Sequence, residues 1–224
     1  MAGGNVKLSP VCFGNLWLFQ SLKQDDIQAV LQSAVRRRML RGSSLFRQGE
    51  PADEIFLIKS GRLKLSKIFE DGREITLDFL KPGDFVGEAL FSASTEYPFN
   101  ALCVEDSLTC GFSRRQFEQL VLARPHIGLQ IISNMSERLT ALTDRLGGLA
   151  AGSIEERLSK VLADLAREHG VKHPKGQAIP FYLSHEDLGF LVGAHRVSVT
   201  RALKDLRQNG KIVIEGRSLI IPPE

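Results

Sequence analysis

The chain has 224 residues, 43% hydrophobic and 25% charged, with a formal net charge of +3. That leaves room for one large or two small domains with proper cores and excludes a disordered polyelectrolyte. No apolar run nears the roughly 18 residues of a membrane span, the first residues lack a secretory pattern, and Cys12, Cys103 and Cys110 are too few for a disulfide framework, so a cytoplasmic protein with no membrane partner is expected.

In chain order, residues 1–124 read as β-rich. Ser21, with Gln24 three residues on, opens a short amphipathic helix. Short apolar runs follow, among them Ile55–Ile58 and Leu63, Leu65, Ile68. Glycines at 49, 61, 72 and 83 punctuate them at nearly even spacing. Glu70-Asp71-Gly72-Arg73 and Lys81-Pro82-Gly83-Asp84 are turn chemistry, so a β-sandwich or roll is expected. The run "NALCVEDSLTCGFS" reads as a further hairpin, with Cys103 and Cys110 facing across it or simply buried.

Residues 125–152 read as a long helix and its end. Pro125 suits a first helical turn. Ile132, Met135, Leu139, Leu142, Leu146 and Leu149 then follow steps of three and four, the spacing of a seam between two parallel helices. Gly147-Gly148 and the "AAGS" after them loosen the helix end, as a hinge between domains or a plain stop.

Residues 153–224 begin with a helix capped by Ser153 and Glu156, carrying a core stripe of Ile154, Leu158, Val161 and Leu165, and stopping at Gly170. "VKHPKGQAIP" reads as a loop. Ser184 and Asp187 cap the next helix, Val192-Gly193-Ala194 makes a turn, and a second helix runs from about 195 to 208. "KIVIEGRSLIIP" closes as a hairpin. Two short helices with a tight turn, then a hairpin, make a winged helix-turn-helix.

The second helix carries the functional signal. Between 196 and 217 there are six basic side chains against two acidic ones. One basic residue alone is a solvated charge, but a basic helix in this order of elements is a surface for the DNA major groove. Val192, Val197 or Val199, Leu203 and Leu206 would hold it on the core. His195, Arg196, Val197, Ser198, Thr200 and Arg201 would face base edges or phosphates. Lys204, Lys211 and Arg217 would touch phosphates.

From about 15 to 221 the chain resembles the Crp–Fnr superfamily of bacterial transcription factors. The resemblance rests on the glycine-punctuated roll, "DFVGEALF", the long helix, "LSHEDLGFLVGAHRVSVTRALKDLRQNGKI" and the closing hairpin. It implies an α+β protein with an N-terminal jelly-roll-like double-stranded β-helix sensor, a dimerisation helix and a C-terminal winged helix-turn-helix. It also implies a homodimer on a double-stranded DNA palindrome, with RNA polymerase as a partner. Arg196 and Arg201 match two DNA-contacting positions of the cyclic-AMP receptor branch. Val197 stands where that branch and the Fnr branch carry a glutamate, so the target should differ at that base pair. The "KHPKG" segment resembles an activating surface for the polymerase.

The family's nucleotide site maps onto Gly87, Glu88 and Ala89, onto Phe99, Asn100 and Ala101, and onto Leu142 and Thr143 of the helix. The arginine that takes the cyclic phosphate is missing from the 99–101 run, so cyclic AMP is not the expected effector. Three scattered cysteines do not make an iron–sulfur site. Cys12 is the redox candidate. His126, at the start of the long helix and the one histidine before residue 153, is the candidate for haem. Phe79, Phe85, Leu90, Phe91 and Phe99 are candidates to line an apolar effector site. No histidine spacing is a metal signature, and no phosphate loop or nucleophile elbow is present, so an enzyme is not expected.

Overall fold

A computed structural model of the chain describes residues 34–93, 95–149, 152–216 and 218–223. The expected helix at Ser21, Cys12 and Arg217 lie outside the described residues. The chain's own contacts divide it into two units, one of residues up to 74 with 79–138 and the other of residues from 139 on with 75–78 from the middle of a strand of the first.

The first unit is built from two four-stranded antiparallel sheets. β1 (Val35–Met39), β3 (Glu54–Ser60), β6 (Phe85–Val86) and β8 (Ser107–Ser113) form one, in the order β1-β8-β3-β6. β2 (Ser44–Phe46), β4 (Leu63–Ile68), β5 (Glu74–Leu80) and β7 (Asn100–Cys103) form the other, in the order β2-β7-β4-β5. Side chains alternate between the faces of a strand, and on β3 both faces are covered. Ile55 and Leu57 point into a core shared with Cys110, Phe112 and the helices that follow. Phe56 stacks on Phe46 of the other sheet, with ring centroids 6.0 Å apart. That is why Ile55–Ile58 is continuously apolar.

The punctuating glycines do what their spacing suggests: Gly49, Gly61, Gly72 and Gly83 all hold φ between 79° and 100°, a region that costs any residue with a Cβ. The expected 100–113 hairpin is different. β7 and β8 are consecutive but sit in different sheets, and residues 104–106 cross between them. Cys103 is paired with Leu63, and Cys110 with Leu57 and Arg36, so the two thiols do not face each other. The three-residue link has no glycine to close a tight turn. Its acids bind elsewhere instead: Glu105 accepts from Arg62 at 2.6 Å, and Asp106 from the Arg41 amide at 3.0 Å.

Helix α1 (Arg114–Ala123) is capped by Ser113 and Gln116 and buries Phe117 and Leu120. Helix α2 (Pro125–Leu149) presents two faces. Ile127 and Ile131 are buried in the core of the first unit, with Met135 packed against its edge. Leu129, Ile132 and Leu139 are exposed at 67%, 62% and 64%. The helix runs through Gly147 and Gly148 to Leu149. Two glycines lower helix propensity by about 1 kcal/mol each but do not forbid the conformation. The break therefore comes later, and Gly152 has φ +83°.

In the second unit, α3 (Ile154–His169) carries the Ser153–Glu156 capping box and buries Leu158, Leu162 and Leu165. Ile154 and Val161 are only partly buried, so Leu162 takes the place the sequence reading gave to Val161. The expected loop after it is a hairpin of β9 (Val171–His173) and β10 (Gly176–Ile179). β11 (Val213–Glu215) and β12 (Ser218–Ile221) complete one sheet in the order β11-β12-β10-β9. The wing is therefore four strands, not two.

Candidate nucleic-acid interface

Helix α4 (His185–Val192) starts at Ser184, whose hydroxyl accepts from the Asp187 amide at 3.0 Å; the Asp187 carboxylate accepts from the Ser184 amide at 3.1 Å. This pairing satisfies two amides that a helix start leaves open. Gly193, at φ +63°, ends α4, and the Ala194 amide returns to the Gly189 carbonyl at 2.8 Å. A Cβ on Gly189 would lie 2.6 Å from the Ala194 carbonyl oxygen. The tight turn needs that glycine as much as the one in the turn itself. Arg157 of α3 locks the corner, its Nε donating to the Val192 carbonyl at 3.0 Å.

Helix α5 (Arg196–Gln208) follows and packs on α3 and α4. Val199, Ala202, Leu203 and Leu206 are buried, so Val199 and not Val197 is the anchor. One face sealed at 3.6-residue spacing forces the opposite one outward. There stand Val197, 62% exposed, with Arg201 and Lys204. His195 caps the helix without a side-chain bond, and Arg196 opens its first turn, both exposed. Among the described residues none of Arg196, Arg201 and Lys204 has an ion-pair partner. Ser198 is partly buried.

Two candidate contacts are already engaged. The Thr200 hydroxyl donates to the Arg196 carbonyl at 2.9 Å and lies 2.8 Å from His185 Nδ1. Lys211 Nζ is 4.0 Å from Glu155 of α3. At the wing, Glu215 accepts from Lys175 Nζ at 2.5 Å with His173 3.8 Å away, and the lysine bond holds its carboxyl below the usual range. Gly189, Arg157 and His185 were not singled out from the sequence. Only the Gly189 spacing to the turn glycine was a signal there.

In the first unit, Gly87 has φ +102°, and a Cβ there would lie 2.6 Å from the Glu54 carbonyl. The glycine is needed by the backbone whatever the roll binds. Glu88, partly buried, accepts its neighbour's Gly87 amide at 3.0 Å and opens a one-turn 3-10 helix in which Ala89 is buried. Asn100 Oδ1 accepts from the Gln48 amide at 3.0 Å. Ala101 is buried, and Phe99 lies 6.0 Å from Phe46, ring to ring. None of residues 99–101 is a cation. Leu142 is exposed, and Thr143 turns its hydroxyl to the carbonyls of Leu139 and Thr140 on its own helix. Phe79, Phe85 and Leu90 are buried core side chains, and Phe91 is exposed. His126 is exposed at the start of α2. Burial pushes the thiols of Cys103 and Cys110 up. Among the described residues no cluster of three His, Cys, Asp or Glu could hold a metal ion, and no helix is long and apolar enough to cross a membrane.

Comparison with known proteins agrees with this arrangement of parts. Residues 36–124 match the cyclic nucleotide-binding domain and residues 156–223 the Crp-like helix-turn-helix domain. The chain is 30% identical over 202 residues to the anaerobic regulatory protein of Bacillus subtilis, covering 89% of this chain and 85% of that one. It is 28% identical over 204 residues to the CRP-like cAMP-activated global transcriptional regulator of Mycobacterium tuberculosis, covering 91% of each. Among solved structures it is similar to the c-di-GMP responsive global regulator CLP of Xanthomonas campestris, with 27% identity and a TM-score of 0.77, over 90% of this chain and all of the other. A cyclic nucleotide-binding fold followed by a Crp-like helix-turn-helix, in a chain this similar to such relatives over nearly its full length, makes the protein a member of the Crp–Fnr family of transcription regulators.

Proposed function

We propose that the chain acts as a cytoplasmic homodimer that binds a two-fold DNA site with α5 in the major groove. The roll is its sensor, and the effector is not cyclic AMP. The observation that carries the DNA reading is the two-sided α5: Val199, Ala202, Leu203 and Leu206 sealed inward, Val197, Arg201 and Lys204 turned outward. An arginine donates two hydrogen bonds to guanine O6 and N7, and a valine packs on a thymine methyl. With Val197 in place of a carboxylate, the half-site has no cytosine amino contact there. Two α2 helices pairing along their exposed stripe would set the half-sites about one helical turn apart.

The test is selection of a preferred duplex from a random library with the full-length protein. Arg196→Ala and Arg201→Ala should each relax choice at one base pair per half-site, by about 1–3 kcal/mol. Lys204→Ala should weaken all duplexes evenly and lower the salt slope by about one per protomer. Lys204 is the cleaner probe than Lys211, which has Glu155 beside it. Unchanged site preference in Arg196→Ala would mean that α5 docks differently.

Cyclic-nucleotide control is the second reading, favoured by the relatives whose names are cAMP-activated and c-di-GMP responsive. Against cyclic AMP stands the uncharged run Phe99-Asn100-Ala101. Calorimetric titration of the reduced protein with cyclic AMP decides: micromolar binding supports that reading, and no heat at millimolar ligand removes it. Effectors left to try are then redox signals, haem and apolar molecules, or none, with the roll serving only as a dimer scaffold. An effector would act by shifting how the two α2 helices pack and so the spacing of the DNA-binding units. RNA polymerase would meet the β9–β10 turn, where Lys175 is exposed.

A further inference from the structure

The Thr200 hydroxyl stands on the helix that would read DNA, yet its single hydrogen is already placed. The Arg196 carbonyl, 2.9 Å away, can only accept, so the hydrogen points there. The 2.8 Å contact between Thr200 Oγ1 and His185 Nδ1 must then be closed by a hydrogen on the ring. His185 is thereby held with Nδ1 protonated. In the neutral ring, Nε2 is a bare acceptor; only the imidazolium carries a second donor there.

The surroundings of the ring supply no anion to it. On its own helix Glu186 is exposed, and the Asp187 carboxylate is bound to the Ser184 amide and hydroxyl. On α5 the charged residues flanking Thr200 are Arg196 and Arg201, and Arg157 of α3 binds the Val192 carbonyl at the far end of α4. Among the described residues no carboxylate makes an ion pair with His185. The ring sits at the positive end of α4, where a backbone phosphate is favoured.

We propose that His185, not Thr200, makes the polar contact to the DNA backbone at this corner. It does so as the imidazolium, so that each protomer takes up one proton as it binds. Nε2–H donates to a phosphate oxygen, while Nδ1–H holds Thr200 and through it the first turn of α5. The inference rests on the reading of α5 as the recognition helix. Because the bound form holds one more proton per protomer than the free form, affinity is greatest at low pH and falls as pH rises.

The experiment is fluorescence anisotropy with the duplex chosen by the selection above, from pH 6 to pH 8 at fixed ionic strength. The wild type should weaken by more than about tenfold across that range. His185→Gln, which cannot take the proton, should show a nearly flat profile and match the wild type near pH 8. His195→Gln should keep the wild-type slope, since His195 is the other histidine at this surface. Nitrogen-15 shifts of the free protein should show the His185 ring protonated at Nδ1. The proposal is overturned if His185→Gln keeps the wild-type slope, if the wild-type profile is flat, or if the free ring is protonated at Nε2. In those cases duplex binding itself stands, and a flat wild-type profile would mean a neutral ring accepting from a base. If no duplex binds at any pH, the DNA reading fails and this inference falls with it.

Discussion

Asp84 is 8% exposed, between the Lys81 amide, which donates to it at 2.9 Å, and the Asn134 amide of α2, which donates at 3.3 Å. Burial pushes its carboxyl up, against those bonds and the positive charges of Lys81 and Arg138. A folded-state pKa above the unfolded one contributes stability that is full below the ordinary carboxylate value and is lost as pH rises through the folded one. Asp84→Asn keeps an acceptor for Lys81 and carries no charge. The variant should therefore match the wild type near pH 4 and exceed it by up to about 1 kcal/mol at pH 7. Urea midpoints at both pH values check this, and a gap that does not widen with pH would show the carboxylate to be well solvated. In the sequence Asp84 was legible only as the last residue of a Lys-Pro-Gly-Asp turn, because its burial depends on a helix residue fifty positions away. The cysteines were more legible. Cys103 and Cys110 are buried with raised thiol pKa values, and thiolate is the reactive form. A disulfide reagent should label them only upon denaturation, at the rate of global unfolding.

At the scale of elements, the turns separate two uses of glycine. Gly72 has φ +79° with nothing within 4 Å of a would-be Cβ, whereas at Gly61, φ +84°, the Cβ would lie 2.2 Å from Ser107 Oγ and 2.6 Å from the Asp106 carbonyl oxygen. Gly72→Ala should cost about 1–2 kcal/mol, the left-handed penalty alone. Gly61→Ala should cost more, about 3 kcal/mol or above, because the link from β7 to β8 must move as well. Melting of the two variants side by side tests the difference; equal losses would mean that the link yields freely. Glycine spacing and the two apolar periods made most elements readable: the roll strands, the long helix, and both helices of the DNA-binding unit with their caps. Strand partners were not readable, since pairing is decided by distant chain. The 104–106 link looked like a hairpin turn, and Pro174 with Gly176 made β9 and β10 look like a loop. At the interface the period left Val197 or Val199 as anchor, and only packing against α3 and α4 picks Val199. The His185–Thr200 contact joins two helices and had no signature along the chain.

At the scale of the whole molecule, α2 presents large apolar side chains on two of its faces. Ile127 and Ile131 close the core of the first unit, while Leu129, Ile132, Leu139 and Leu142 stand exposed at steps of three, seven and three residues. An apolar stripe of that length left to water is costly, and in the proposed homodimer it packs against a second copy of the same helix. The two faces should respond oppositely to substitution. Leu139→Glu places a charge in the seam without touching the core. It should yield a folded monomer by sedimentation velocity at micromolar concentration. Its affinity for the two-fold duplex should fall at least about a hundredfold, since each half-site must then be found independently. Ile127→Ala should leave the dimer intact but lower the stability of the sensor unit by about 2–5 kcal/mol, the usual range for emptying a buried isoleucine site. A Leu139→Glu protein that still sediments as a dimer would place the subunit contact elsewhere. The spacing of the DNA half-sites would then no longer be set by this helix.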